Sequence, residues 1–248
     1  MIDVAIDTAR AAGALAYRYF KTQPKVRYKS DNSPVTAADI EAEKLIRRMI
    51  TKNFPDHGII GEELENVNPK AKYQWIIDPV DGTRDFVRNI PIWATFLAVL
   101  ENGKPIIGIS FTPATDELFV AQKWQGTHLN GKKTRVSKIS DLKLACISHG
   151  AISRFNDKGK LEGLLKICEI VQHRRGFSTL GLNLLLKGNI DICTEPAGGI
   201  HDFAAVSILV EEAGGKFTDF DGKFSLTSGN GIATNGLLHN QVIRLLNQ

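Results

Sequence analysis

The stretch Trp75-Ile76-Ile77-Asp78-Pro79-Val80-Asp81-Gly82-Thr83-Arg84-Asp85-Phe86 carries more chemical information than any other part of the chain. An apolar strand runs straight into two carboxylates three residues apart, with Pro79 fixing a turn and Gly82 allowing close approach of backbone. Thr83 follows where a helix or helical turn can start, and backbone N–H groups at such a start form a cradle for phosphate. Asp78 and Asp81 beside that cradle would repel a phosphate dianion unless cations lay between them. The arrangement makes chemical sense if divalent metals bridge carboxylates and phosphate oxygens. Taken alone, Pro79-Val80-Asp81-Gly82 also reads as ordinary turn chemistry.

Two further segments bear on that choice. Ile59-Ile60-Gly61-Glu62-Glu63 is a short apolar run ending in acids, a pattern that is usually just a solvated strand end. His201-Asp202-Phe203-Ala204-Ala205 places an acid at the opening of an apolar helix running towards Glu211-Glu212-Ala213-Gly214-Gly215, where the helix dipole alone would favour it. Together the three segments suggest an oxygen-only ligand set for Mg²⁺. His57, His128, His149, His173 and His239 are isolated and read as surface or satisfied core residues. Neither HExxH nor a GxSxG elbow, a Walker loop or a dinucleotide glycine fingerprint is present.

Around these motifs the periodicity sets the organisation. Ile2, Ile6, Ala9, Ala12, Ala16, Tyr19 and Phe20 predict one face of a long helix over 2–20, which Pro24 breaks. Residues 25–34 read as polar and mobile. Thr36-Ala37-Ala38-Asp39 has capping-box spacing and opens a second helix, with Ile40, Leu45, Ile46, Met49 and Ile50 as its buried face and Phe54-Pro55 as its end. Strands are expected over 58–61, 73–77, 93–100, 105–111 and 117–122, with turns at 101–104 and Asn130-Gly131. Beyond residue 141 strands and helices alternate, clearest at 144–148, 161–171, 191–194 and 203–213. The expected architecture is α/β: two lobes, about 1–140 and about 141–248, fused into one layered domain over 1–248.

Composition narrows the function classes. With 43% hydrophobic and 23% charged residues in 248, the chain is neither disordered, collagen-like nor a coiled coil. Its 31 basic and 27 acidic residues give a formal charge of +4, with the basic ones scattered as pairs such as Arg47–Arg48, Lys132–Lys133 and Arg174–Arg175. These read as solvated surface rather than a nucleic-acid stripe. Cys146, Cys168 and Cys193 sit in contexts that suggest burial; an odd count without CxxC spacing argues against disulfides or zinc and for a reducing compartment. No run approaches a membrane span and no secretory leader is visible, so a cytoplasmic protein is expected.

The order Gly61-Glu62-Glu63, Asp78-Pro79-Val80-Asp81-Gly82-Thr83 and Asp202-Phe203-Ala204-Ala205 resembles the inositol monophosphatase superfamily of Mg²⁺-dependent, lithium-sensitive phosphatases. The resemblance runs from Lys29 to Gly215 and implies the two fused lobes of the inositol-monophosphatase/fructose-bisphosphatase fold, an α/β (α+β) layered sandwich of αβαβα type forming one catalytic domain over 1–248. It implies one Mg²⁺ on Glu62, Asp78 and the Val80 carbonyl, a second on Asp78, Asp81 and Asp202, and a weaker third that Glu62 shares through water. Gly82 and Thr83 would bind phosphate. Thr83, held by Asp39, would orient the metal-activated water that attacks phosphorus in line, and Glu62 belongs to the same catalytic group. Lys29 matches the lysine of a mobile N-terminal loop. Arg88 to Thr95, with Trp93, is similar to the histidinol-phosphatase branch, whereas Ser178 and Thr179 stand near the place where that branch has an aspartate. Glu195 matches a glutamate that contacts substrate hydroxyl or amino groups, and His201 replaces a tryptophan at the pocket mouth. The implied substrate is inositol monophosphate or histidinol phosphate, with nucleotide 3′,5′-bisphosphate or fructose bisphosphate as alternatives. The resemblance also favours a homodimer. A phosphatase-like interaction protein is the competing class, and it predicts loss of ligand carboxylates; none is lost here.

Overall fold

The structure, a computed structural model, describes residues 1–22, 25–28, 34–177 and 179–248. Lys29, Ser178 and Pro24 therefore lie outside the described residues. The chain opens with α1 (Ile2–Phe20), β1 (Val26–Tyr28), β2 (Pro34–Thr36) and α2 (Ala37–Asn53). There follow β3 (Gly58–Gly61), β4 (Tyr73–Asp81), α3 (Thr83–Val87), β5 (Ala94–Glu101), β6 (Lys104–Thr112), β7 (Glu117–Gln122), β8 (Gly126–Leu129) and β9 (Lys132–Lys133). The remainder comprises β10 (Cys146–His149), α4 (Ile152–Asp157), α5 (Leu161–Ile170), β11 (His173–Arg175), α6 (Thr179–Leu186), β12 (Ile192–Glu195), α7 (Ile200–Glu212), β13 (Lys216–Thr218), β14 (Gly231–Thr234) and α8 (His239–Leu246).

Strand alternation decides the layering. On β4 and β5, Trp75, Ile77, Leu97 and Val99 face one way into a core shared with α1 and α2. Ile76, Phe96, Ala98 and Leu100 face the other way, against α6, α7 and the inner face of a second sheet. Both faces are apolar because both are covered. The first sheet runs β3-β4-β5-β6-β7-β8-β9 and the second β11-β10-β12-β14-β13. A third core, built on Ile147, Ile192 and Ile232, packs under α4, α5 and α8. Helices, sheet, helices, sheet and helices thus stack as the expected αβαβα sandwich. The close approach of α7 to β6 needs Gly108, where a Cβ would run into Ile208 and the Ala205 carbonyl.

Several local expectations change. Within residues 25–34, Val26–Tyr28 form β1, which pairs antiparallel with β2 (Pro34–Thr36), so these described residues are strand rather than loop. The buried face of α2 is Ala38, Asp39, Ala42, Glu43, Ile46 and Ile50, while Ile40, Leu45 and Met49 are half-buried at its margins. Arg47 is not solvated surface but an ion-pair partner of the buried Glu43. The strand predicted over 73–77 continues to Asp81, because the backbone stays extended through Pro79 rather than turning there. Trp93 is a core residue with no exposure, packed against Phe20 and Phe86, so it shapes the fold rather than a pocket. Helix α6 shows no amphipathic signal because six of its eight residues are leucine or glycine held between layers. Among the described residues no cysteine is in a disulfide, and all three are only half-buried. Among the described residues no helix is long and apolar enough to cross a membrane.

One buried histidine gives the fold a pH signature. The His239 ring lies between the hydroxyls of Thr218 (2.9 Å) and Thr234 (3.1 Å), and burial holds its pKa down at about 4. Between pH 6.5 and 4 the unfolded chain binds a proton there that the folded chain does not. Stability from this residue is therefore complete above pH 6.5 and is lost as pH falls. Urea unfolding of wild type and His239→Gln should show the wild-type advantage shrinking by about 2 kcal/mol from pH 7 to pH 5. An advantage independent of pH would contradict it.

Candidate active site

A bulge aims the two aspartates of β4 at one place. Asp78 pairs with Phe96 and Asp81 with Ala94, so three steps on β4 oppose two on β5. In a regular strand, side chains three apart point to opposite faces; the extra residue brings both acids to the same side. Side chains hold the irregular backbone in place. Asp78 Oδ1 accepts from Val80 N–H (3.0 Å), the Thr95 hydroxyl donates to the Pro79 carbonyl (2.9 Å), and the Thr83 hydroxyl donates to the Val80 carbonyl (2.9 Å). Gly82 sits at φ 88°, a left-handed conformation that glycine adopts without strain, and caps α3. The first turn of α3 leaves its leading N–H groups without an intrahelical acceptor, and Gly82, Thr83, Arg84 and Asp85 line the cleft beside it.

Asp202 arrives from the far end of the chain, in the first turn of α7, where it accepts from Gly199 N–H (2.5 Å) and lies 3.2 Å from His201 Nε2. Carboxylate oxygens of Asp78, Asp81 and Asp202 come within 4.8 Å of one another. Glu62, just beyond β3, lines the same cleft of about 570 Å³, together with Val80, Gly82, Thr83 and Glu195. Behind Asp81, Glu195 and Asp202 lies an apolar cavity of about 230 Å³ walled by Phe96, Leu182, Phe203 and Phe217. The acids thus stand at a boundary between cleft and low-dielectric interior.

The electrostatic consequence is plain. Burial, reinforced by Glu62, Asp81 and Asp202, pushes Asp78 well above the usual carboxylate range. Burial and then Asp202 do the same to Asp81, against the opposing bond from Thr179. Asp202 is raised by burial as well, although His201 works the other way. Glu195 is pushed up to about 7, chiefly by burial. Crowded, desolvated carboxylates with no cation among them are costly, and a divalent ion would relieve that cost directly. The donors are all hard oxygens, which suits Mg²⁺. The residues therefore fit the metal that the sequence motifs imply.

Asp39 lies at the N-terminus of α2, where its Oδ2 accepts from the Thr36 N–H (2.8 Å) and hydroxyl (2.7 Å) and completes the capping box. Its Oδ1 faces the Thr83 hydroxyl at 3.4 Å. Thr179 donates to Asp81. Among the cleft residues that went unrecognised in the sequence, four are titratable: Arg84, Asp85, His149 and Arg154. Arg84 and Asp85 follow Thr83 directly, so position alone could have found them. His149 and Arg154 reach the cleft only because β10 ends there, and no local pattern marks them.

The sequence profile of the inositol monophosphatase family matches residues 1–248. A histidinol-phosphatase of Mycobacterium tuberculosis is 34% identical over 244 residues, covering 96% of this chain and 94% of that protein. Among solved structures, the extragenic suppressor protein suhB of Bartonella henselae aligns with a TM-score of 0.93 at 30% identity, over 99% of this chain and 98% of that one. The Thermotoga maritima IMPase aligns with a TM-score of 0.90 at 32% identity, over 99% and 96%.

Proposed function

This chain belongs to the inositol monophosphatase family and is a phosphoric monoester hydrolase, and we propose that it is a Mg²⁺-dependent enzyme for a small amino-alcohol phosphate, histidinol phosphate foremost. The observation that carries the reading is the convergence of Asp78, Asp81 and Asp202 beside the open first turn of α3. Glu62, Asp78 and the Val80 carbonyl would hold one ion, and Asp78, Asp81 and Asp202 a second. When bound, Mg²⁺ supplies charge compensation for the phosphate and departing alkoxide and lowers the pKa of water. The N–H groups of Gly82 and Thr83 bind the phosphate oxygens. Thr83, with Asp39 behind it, orients the attacking water and takes part in moving its proton.

The choice of an amino alcohol rests on Glu195. Its carboxylate lies over Gly150, where any Cβ would overlap it, and its raised pKa falls back when a cation sits opposite. Arg84 and Arg154, whose charges already act to lower the Glu195 pKa without offsetting its burial, line the same cleft and would attract the phosphate end. A zwitterionic ester matches both. The activity named for the Mycobacterium tuberculosis relative supports the same choice. The chain acts as one catalytic domain, with the metal and phosphate groups drawn mainly from residues before about 140 and the specificity groups after.

The test compares kcat/KM for histidinol phosphate, inositol phosphate, adenosine 3′,5′-bisphosphate and fructose bisphosphate with Mg²⁺ and with EDTA. Histidinol phosphate should lead by tenfold or more, and EDTA should abolish turnover. Equal values across the four would refute a dedicated substrate, and undiminished turnover in EDTA would refute the metal.

A further inference from the structure

Among the ligand carboxylates of the proposed centre, Glu62 lies in a non-strand segment just past the edge strand β3. That segment, 62–65, is gripped from α2. Glu43, with no solvent exposure, accepts from Glu63 N–H through Oε2 (2.9 Å) and from Leu64 N–H through Oε1 (3.3 Å). Its Oε1 also accepts from Arg47 Nε (2.8 Å) and Nη2 (2.6 Å). Arg47 in turn donates to the carbonyls of Leu64 (3.0 Å) and Glu65 (2.9 Å). Two side chains one helical turn apart therefore read both the N–H and C=O groups of the segment that starts at Glu62. Gly61 completes the fit, since a Cβ there would overlap the Glu43 carboxylate and come within 2.7 Å of Arg47 Nη2.

The pair suits this task and little else. A buried ion pair contributes little net stability compared with apolar residues of the same volume. A fully satisfied one fixes geometry, because every bond is charge-assisted and directional. Asp39 lies one turn earlier on the same helix, with Oδ1 towards Thr83. A single polar stripe on α2, Asp39, Glu43 and Arg47, thereby reaches the phosphate cradle at one end and the metal-ligand segment at the other.

We propose that Glu43 and Arg47 are positioning residues that set Glu62 at the ion shared with Asp78, an inference that rests on Glu62 being a metal ligand. Partners that orient ligands in this way typically change metal affinity by about 10–100-fold when altered. Glu43→Gln should weaken Mg²⁺ binding to the metal-free protein by that factor in titration calorimetry. The Mg²⁺ concentration for half-maximal turnover should rise in parallel, with kcat at saturating Mg²⁺ within a few-fold of wild type. Arg47→Lys, which keeps the charge but not the fork, should fall between and provides the reading if Glu43→Gln folds poorly. Glu62→Gln separates the two claims. If Glu62→Gln leaves Mg²⁺ affinity unchanged, the metal assignment itself fails. If Glu62→Gln weakens binding and neither α2 variant does, or if Glu43→Gln weakens it further in the Glu62→Gln background by its full factor, the positioning role is overturned.

Discussion

Asp81→Asn will lower kcat by about a thousand-fold or more while the protein remains folded, because the substitution removes a metal-binding charge but keeps the shape of the strand end. Asn can still accept from Thr179, and the bulge is fixed by Val80, Thr95 and Thr83 rather than by Asp81. The same variant should be the more stable one without metal. Asp81 is held above its ordinary pKa by burial and by Asp202, so its charge weakens the metal-free fold progressively as pH rises past the carboxylate range. In EDTA at pH 8 the midpoint of thermal unfolding should therefore be higher for Asp81→Asn than for wild type. Added Mg²⁺ should raise wild type by clearly more than the variant, which keeps only the ion on Glu62, Asp78 and the Val80 carbonyl. Turnover within tenfold of wild type, or an equal Mg²⁺ response, would remove Asp81 from the metal site.

That opposition between stability and activity explains which parts of the site were legible. Acids at the ends of apolar runs, as at Glu62, Asp78 and Asp202, violate a purely structural pattern, and a sequence displays such violations locally. The strand alternation around Trp75-Ile76-Ile77 and the cap at Thr36 are local too, and both appear where expected. Glu43 and Arg47 were hidden for the opposite reason. A Glu and an Arg four apart look like a solvated helix pair. Their burial depends on N–H and C=O groups some twenty residues away, which no window along α2 contains. The bulge at Asp78–Asp81 was equally silent, since it exists only relative to β5. Helix α6 escaped because a segment covered on all sides has no period to detect.

Asp39 carries two functions that separate cleanly by mutation. Its Oδ2 serves the cap of α2 and its Oδ1 faces Thr83, so the two oxygens answer to folding and to catalysis respectively. Asp39→Asn keeps an acceptor for Thr36 N–H but puts an amide donor where a carboxylate oxygen faced the Thr83 hydroxyl at 3.4 Å. The water-orienting pair is lost while the cap survives. The expected result is a fall in kcat of about 10²–10⁴-fold, with unfolding free energy within about 1 kcal/mol of wild type. Asp39→Ala removes both oxygens and should add a stability loss of about 1–2 kcal/mol to the same fall in kcat. Thr83→Ala should match Asp39→Asn in kcat, and the double variant should be no worse than either single one, since they act through one bond. Steady-state kinetics at saturating Mg²⁺ beside urea unfolding reads all four proteins. Multiplying effects in the double variant would mean that Asp39 supports the fold alone and that Thr83 works without it.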